Sequence, residues 1–442
     1  MTLPVPSGAD LLTRGLDVLR SHQERSQRTL SLIPAENIMA PLARLPFLAD
    51  AAARYMFDEH PDTAAGDWRF PAGKEAAWLE TGLTVPLLRR LTGAATVNVR
   101  PLSGLHAMQM VLAALGGPPG STIACLAPDQ GGHYATADIA RQLGYTPVHL
   151  PGRGMHGLDT DALAGFLSEH RPSLVYVDQC HALTGLDIAP LADAIKYGRL
   201  QTVLHVDISH TLGLVLGGAL ANPLAGGADS ISASTHKSFP GPQKGIIATR
   251  TAATGERITA IQPQNVSNHH FAAVAALGLS LAAFADRAGP YAQAVVANAR
   301  TLGKELAHSG WSLAGSEFGY TRTHQLWVTH TPQPTARAAA AHLYEAGLHV
   351  NWLTDLPVGQ PALRLGLAEA TWLGLGAEDM PALAQIMTAA ADESVPLTEL
   401  AARTAALRPV PGRRYPFAPR LEGDAAQTAA AGVEAVLAEV MA

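Results

Sequence analysis

Short apolar runs alternate with helical periodicities through the middle of the chain. Ser173-Leu-Val-Tyr-Val-Asp178 is rich in β-branched and aromatic residues, ends on a polar residue, and predicts a strand. Thr202-Val-Leu-His-Val-Asp207, Ser230-Ile-Ser-Ala-Ser234 and Gly245-Ile-Ile-Ala-Thr249 predict three more. Helical segments at Gly104 to Leu115, Gly132 to Leu143 and Leu191 to Tyr197 lie between and before them. Strands separated by helices predict an α/β fold with a largely parallel sheet covered on both faces. Ligands of such sheets collect beyond the carboxyl ends of the strands, so the residues just after each strand carry the chemistry.

The two ends of the chain read differently. A helix from Asp10 to Gln27 and the irregular Leu32-Ile-Pro-Ala-Glu-Asn37 form an N-terminal arm, residues 1–50, expected to pack on the main body or on a partner subunit. Residues 51–285 make the large α/β domain. The Ala-rich stretch Ala272 to Asn298 predicts a helical spine broken at Gly289-Pro290, since proline interrupts helix hydrogen bonding. It leads into a smaller α+β unit, residues 286–442, with strands at Gln325 to His330 and Ala362 to Gly366 and helices at Pro334 to Ala346 and Ala377 to Ala391.

Composition narrows the class. Of 442 residues, 48% are hydrophobic and 15% charged, enough apolar material for large cores. A formal charge of −6 argues against nucleic acid as a partner, because phosphate-backbone binders need a basic surface. The apolar stretch Phe271 to Ala285 falls short of the ~20 residues a bilayer span requires. Residues Met1 to Arg14 lack a basic segment followed by an apolar one, so a cytoplasmic location without membrane partners is expected. Cys125 and Cys180 are the only cysteines, which excludes a disulfide framework and a four-cysteine zinc site.

Four positions then stand out. Lys237 is one of five lysines and follows a strand in Ser234-Thr-His-Lys-Ser238, ahead of a Gly-Pro loop. Enclosure can strip a lysine of its proton and let it form a Schiff base, although a surface loop lysine fits the same spacing. Asp207 ends a strand, with His210 three residues on; a carboxylate there either holds a pyridinium nitrogen protonated or caps the next turn. Ser103 opens a helix in Pro101-Leu-Ser-Gly-Leu-His106, leaving the amides of Gly104 and Leu105 free for an anion or serving as an ordinary cap. Arg364 interrupts the apolar Ala362-Leu-Arg-Leu-Gly366 and needs a partner, either a substrate carboxylate or an internal acid such as Glu369.

Together with Gly131-Gly-His133, Gly213-Leu-Val215 and Gly241-Pro242, these passages resemble serine hydroxymethyltransferase and its fold type I relatives that use pyridoxal phosphate. The resemblance runs from about Leu32 to about Gly374. It implies that Lys237 carries pyridoxal 5'-phosphate as an internal aldimine, that Asp207 pairs with the ring nitrogen, and that Ser103, Gly104 and Leu105 take the phosphate. His210, Ser234 and His236 would line the site, and Arg364 would grip the amino-acid carboxylate. Tyr55 matches a tyrosine contributed by the neighbouring subunit, and Gln264 matches a glutamine that reaches another subunit's phosphate, so a homodimer with shared sites (or a tetramer built from it) is implied.

Departures from the family pattern bear on the reaction. The glutamate of the family's Tyr-Ala-Glu-Gly becomes Phe57 in Tyr55-Met-Phe-Asp58, with Asp58 or Glu59 as displaced substitutes. Paired tyrosines become Phe70 and Pro71, and the histidine that stacks on the cofactor ring becomes Gln130, while His133 is retained. The Gly-Gly after Gln264 is Asn265-Val266, and an arginine is replaced by Gln243. The cofactor frame is kept while groups for tetrahydrofolate are lost. The reading is cleavage and formation of carbon–carbon bonds in β-hydroxy-α-amino acids through a glycyl quinonoid, as in threonine transaldolases, with an aldehyde acceptor. His133, His236 and Tyr55 are the candidate proton-transfer groups. A folate-dependent hydroxymethyltransferase, an oxygen-consuming decarboxylase and a non-catalytic scaffold are the rivals.

Overall fold

The computed structural model describes residues 7–56, 68–154 and 157–441. The first helix, Gly8–Ser26, starts two residues before the predicted Asp10 because Ser7 caps it and Asp10 closes a capping box back onto Ser7. None of its residues is buried. The chain then enters β1 (Leu30–Ser31), which pairs in parallel with Leu348–His349, and Leu30 and Leu32 are fully buried there.

Seven strands form the central sheet: β2 (Thr96–Asn98), β3 (Thr122–Cys125), β4 (Thr146–His149), β5 (Leu174–Asp178), β6 (Val203–Asp207), β7 (Ser230–Ser234) and β8 (Gly245–Thr249). Their order is β2-β8-β7-β6-β5-β3-β4, and only β8 runs against the rest. Every residue of β5, β7 and β8 is buried, the mark of strands covered on both faces. The predicted strands at 230–234 and 245–249 are found as such. Those at 173 and 202 begin one residue later, where Thr202 turns its hydroxyl onto the Pro172 carbonyl at 2.6 Å. Short, half-polar β2, β3 and β4 carry too little pattern to be read from sequence.

Two predicted helices change. Gly132 to Leu143 shortens to Thr136–Gln142, since Gly131 at φ 90° turns the chain and the His133 amide is held by Asp178 at 2.9 Å. The spine breaks at Asp286-Arg287, giving Phe271–Ala285 and Ala288–His308 bent by 82°. Gly289-Pro290, where the break was predicted, sits in the first turn of the second helix, where proline's missing N–H costs nothing. Among the described residues no single helix is long and apolar enough to cross a membrane.

The C-terminal part adds a four-stranded antiparallel sheet from β9 (Ser312–Leu313), β10 (Gln325–His330), β12 (Asn351–Leu353) and β13 (Ala362–Gly366), with Leu348–His349 as β11. Helix Ala288–His308 ties the two parts together. Tyr291, Ala292 and Val295 pack into the core of the central sheet, while Ala299, Leu302 and Leu306 join Leu30, Leu326, Leu363 and Met387 in the second core. This seam brings β13 and its Arg364 up to the carboxyl ends of β5, β6 and β7.

Candidate active site

A cavity of about 300 Å³ opens beyond the carboxyl ends of β5, β6 and β7. Its lining includes Ser103, Gly104, Leu105, His133, Asp207, His210, Ser234, His236 and Lys237, nine of the positions singled out in the sequence. A larger hollow of about 830 Å³ beside Arg89, Arg90 and Gln262 holds none of them.

Lys237 lies three residues past β7 on a loop that is tightly fixed. Thr235 donates its amide to the Lys244 carbonyl at 3.1 Å and its hydroxyl to the Pro242 carbonyl at 2.6 Å, and Asn37 donates to the Lys237 carbonyl at 2.8 Å. Burial lowers the lysine's pKa, and Arg364 adds to this while Cys180 and Asp207 oppose it. Asp207 accepts the Ser209 amide at 2.9 Å and the Ser232 hydroxyl at 2.7 Å, which orients the carboxylate rather than leaving it to cap a turn alone.

The helix Gly104–Leu115 points its N-terminus at the cavity, with Ser103 accepting the His106 amide at 3.1 Å. A Cβ on Gly104 would stand 2.8 Å from the Ser234 hydroxyl and 3.2 Å from that of Ser209. The missing side chain therefore leaves a cradle of free amides and hydroxyls at a positive helix end, suited to a phosphate. Ser209 was not foreseen; its hydroxyl accepts the Ser234 amide at 2.8 Å.

Three histidines differ in what they offer. Burial holds His236 down to about 4, with Lys237 adding to the effect, and its Nδ1 has no protein partner among the described residues. His133 accepts the Ala135 amide on Nδ1 at 3.2 Å, so its neutral ring carries the proton on Nε2, and it stacks on Tyr134 at 4.6 Å. His210 is buried between Cys180 and Gln325, its ring nitrogens 3.8 Å and 3.3 Å from them.

Asp178, read from sequence only as a strand end, is a second carboxyl in the cavity wall, buried and in register with the part-buried Asp207. It receives the His133 amide and the Thr136 hydroxyl, and burial pushes it up to about 7. The matching ends of Val-Tyr-Val-Asp178 and Leu-His-Val-Asp207 were the signal for it.

The remaining positions lie outside this lining. Arg364 sits behind Cys180, 3.1 Å from His181 Nδ1, with its Nε unpartnered among the described residues. Among those residues it makes no salt bridge with Glu369, which faces Glu36 and is pushed up to about 7 by burial first and that like charge second. Gln130 packs against Gly152, where any Cβ would overlap it. Tyr55 is 45% exposed and stacks on Phe70 at 5.4 Å, and Gln264 is exposed on the short helix Gln262–Asn265. Phe57, Asp58 and Glu59 lie outside the described residues.

An amine of lowered pKa, an oriented carboxylate, an anion cradle and an orphaned buried His236 nitrogen fit pyridoxal phosphate. Comparison with known proteins agrees. A family model described as serine hydroxymethyltransferase matches residues 13–387. An L-threonine:uridine-5'-aldehyde transaldolase from a Streptomyces species is 43% identical over 86% of this chain and 92% of its own length, and one from an Amycolatopsis species is 43% identical over 82% and 88%. A serine hydroxymethyltransferase from Pyrobaculum neutrophilum is 35% identical over 84% and 87%. The solved L-threonine transaldolase from Pseudomonas fluorescens, in its internal aldimine state, superposes with a TM-score of 0.84 at 25% identity, covering 96% of this chain and 98% of that one. The chain belongs to the serine hydroxymethyltransferase family and is a pyridoxal-phosphate-dependent enzyme of the transferase and aldolase type.

Proposed function

We propose that this chain is an L-threonine:aldehyde transaldolase, with pyridoxal phosphate held on Lys237 and a nucleoside 5'-aldehyde of the uridine type as acceptor. The observation that carries the reading is the 43% identity, over 86% of the chain, to a relative named for that reaction, against 35% to a hydroxymethyltransferase. The reaction balances without folate, water or oxygen. The Cα–Cβ bond of L-threonine breaks and acetaldehyde leaves; Cα then bonds to the acceptor's carbonyl carbon, giving a new β-hydroxy-α-amino acid. The proton lost from the threonine hydroxyl returns to the new hydroxyl, so one base serves both halves.

Bound pyridoxal phosphate supplies the electron sink that makes Cα–Cβ cleavage accessible. The protein supplies the rest. Lys237, whose pKa burial lowers, is the amine that would attach the cofactor. Asp207 would meet the ring nitrogen, and Ser103, Gly104, Leu105 and Ser234 would take the phosphate. Arg364, whose buried Nε has no partner among the described residues, would grip the α-carboxylate and so fix which Cα bond stands ready to break. Neutral His236 takes the β-hydroxyl proton, and His133, a donor through Nε2, steadies the oxygen that loses it. Tyr55 and Gln264, both exposed and outside the cavity of their own chain, complete the site of a second copy in a homodimer.

The test is incubation with L-threonine and uridine-5'-aldehyde, with acetaldehyde followed through a coupled alcohol dehydrogenase and the amino-acid product followed by mass. Acetaldehyde released in step with product is expected. Release that ignores the acceptor, or serine cleavage that requires tetrahydrofolate, overturns the reading.

A further inference from the structure

Three polar side chains lie under Asp207 where the pattern of buried strands calls for apolar ones. His205, Ser230 and Ser232 are all fully buried. Residues two apart on a strand share a face, so His205 accompanies Asp207 on β6 and Ser230 accompanies Ser232 on β7. The parallel register sets His205 opposite Ser230 and Asp207 opposite Ser232. The four groups form a continuous chain: Ser230 Oγ to His205 Nδ1 is 2.8 Å, His205 Nε2 to Ser232 Oγ is 2.9 Å, and Ser232 Oγ to Asp207 Oδ2 is 2.7 Å.

One premise orients every proton in it. As a carboxylate, Asp207 can only accept, so Ser232 donates to it. Ser232 must then accept from His205 Nε2–H, which leaves Nδ1 to accept from Ser230. We propose that Ser230, His205 and Ser232 act as positioning residues, an aligned hydrogen-bond relay that fixes the Asp207 carboxylate toward the cofactor's ring nitrogen without neutralising it. The proposal rests on the reading of Asp207 as the ring-nitrogen partner.

The chemistry of the relay suits that task. Burial holds His205 down to about 3, so the imidazole is a neutral dipole and not a counter-charge. A lysine or arginine in its place would satisfy Asp207 and compete with the protonated ring nitrogen. Among the described residues no lysine or arginine forms a hydrogen bond or ion pair with the four groups. From β5 the relay is faced by Tyr176, whose ring stacks on His205 at 4.7 Å and whose hydroxyl is 3.5 Å from both Asp207 and Ser232, and by Asp178, in register with Asp207. Aligned dipoles in a low-dielectric interior strengthen one another.

The experiment titrates pyridoxal phosphate into apo-protein and records the pH dependence of the bound cofactor's visible band, with the apo-protein melting temperature as the folding control. Ser232→Ala and His205→Leu are each expected to weaken cofactor binding roughly 10-fold and to move the band's pH midpoint, and Ser232→Thr, which keeps the hydroxyl, restores both. Ser230→Ala removes only the last donor, gives the same directions at about 3-fold, and keeps the test open if His205→Leu does not fold. Wild-type affinity and midpoint in Ser232→Ala and Ser230→Ala, alongside losses in Asp207→Asn, overturn the relay alone. Wild-type values in Asp207→Asn overturn the reading of Asp207, and the relay with it.

Discussion

Two lysines seven residues apart on the same β7–β8 connection show what separates a reactive amine from a structural one. Burial lowers the pKa of both. Lys244 is 1% exposed, and its Nζ donates to the His269 carbonyl at 2.6 Å. Around it Glu80 binds Arg100 at 3.0 Å and His269 at 2.9 Å, while Arg100 reaches the Met56 carbonyl at 3.1 Å. Glu80 is shared by Arg100 and His269, and the Lys244 amine is satisfied by a backbone carbonyl. Lys237 is half-buried on the cavity wall, its carbonyl tied to Asn37 and its Nζ in no ion pair among the described residues. Desolvation primes both amines; only the one that lines the cavity can do chemistry.

Exchanging the losses between the two should break this contrast most sharply. Lys237→Ala is expected to cut transaldolation by on the order of 10³-fold or more with little change in melting temperature, because the amine makes no hydrogen bond or ion pair among the described residues. Lys244→Met should do the reverse, keeping turnover per folded molecule near wild type while lowering stability by roughly 1–3 kcal/mol, the cost of leaving the buried His269 carbonyl without its donor. Parallel activity assays and urea titrations of both variants separate the outcomes. If Lys244→Met abolishes turnover without loss of stability, the cluster is catalytic and the contrast fails.

Glu80→Gln comes next. It removes the only carboxylate that Arg100 and His269 share among the described residues, leaving a buried guanidinium without that partner, and should cost about 3–5 kcal/mol by denaturant unfolding.

The pH dependence of stability sharpens the comparison further. Lys244 is lowered from its ordinary value of 10.5 to about 7 by burial, with Arg100 adding and Glu80 opposing. Between those values the unfolded chain binds a proton that the folded one does not, so stability rises with pH through that window. Asp178 and Glu369 are raised to about 7, so the folded chain holds protons the unfolded one has lost, and stability falls as pH climbs from about 4 to 7. His205 and His236, held to about 3 and about 4 by burial, act in the opposite sense below the ordinary histidine value of 6.5, so the two carboxyls blunt a rise of melting temperature with pH rather than create a minimum. Lys244→Met should flatten that rise above about pH 7, and Glu369→Gln should steepen it below about pH 7.

Much of the Lys237 region was legible in the sequence, and almost none of the Lys244 region was. Strand ends, a cap and a Gly-Pro loop are local signals, so Asp207, Ser103 and Lys237 could be found before their neighbours were known. Glu80, Arg100 and His269 meet from segments up to 189 positions apart, and no local pattern announces such a meeting. Asp178 and the His205 relay fall between these cases: their residues sit on strands that were recognised, but only the register between strands turns them into one row. The spine's break was misplaced because proline marks a helix start as readily as a helix interruption, and sequence alone does not tell the two apart at Pro290.

Asn37→Ala probes the smallest effect and the subtlest part of the contrast. Lys244 is held by its side chain, whereas Lys237 is held by its backbone: Asn37 Nδ2 donates to the Lys237 carbonyl at 2.8 Å and also lies 3.2 Å from the Tyr291 hydroxyl. Removing that amide should cost about 1 kcal/mol of stability, the net worth of an ordinary hydrogen bond. It should also loosen the loop that aims Nζ, weakening cofactor affinity by a few-fold while leaving the amine's chemistry intact. An affinity loss as large as that of Lys237→Ala would mean that Asn37 touches the cofactor itself. No loss at all would mean that Thr235, anchored to Pro242 and Lys244, is sufficient to aim the lysine.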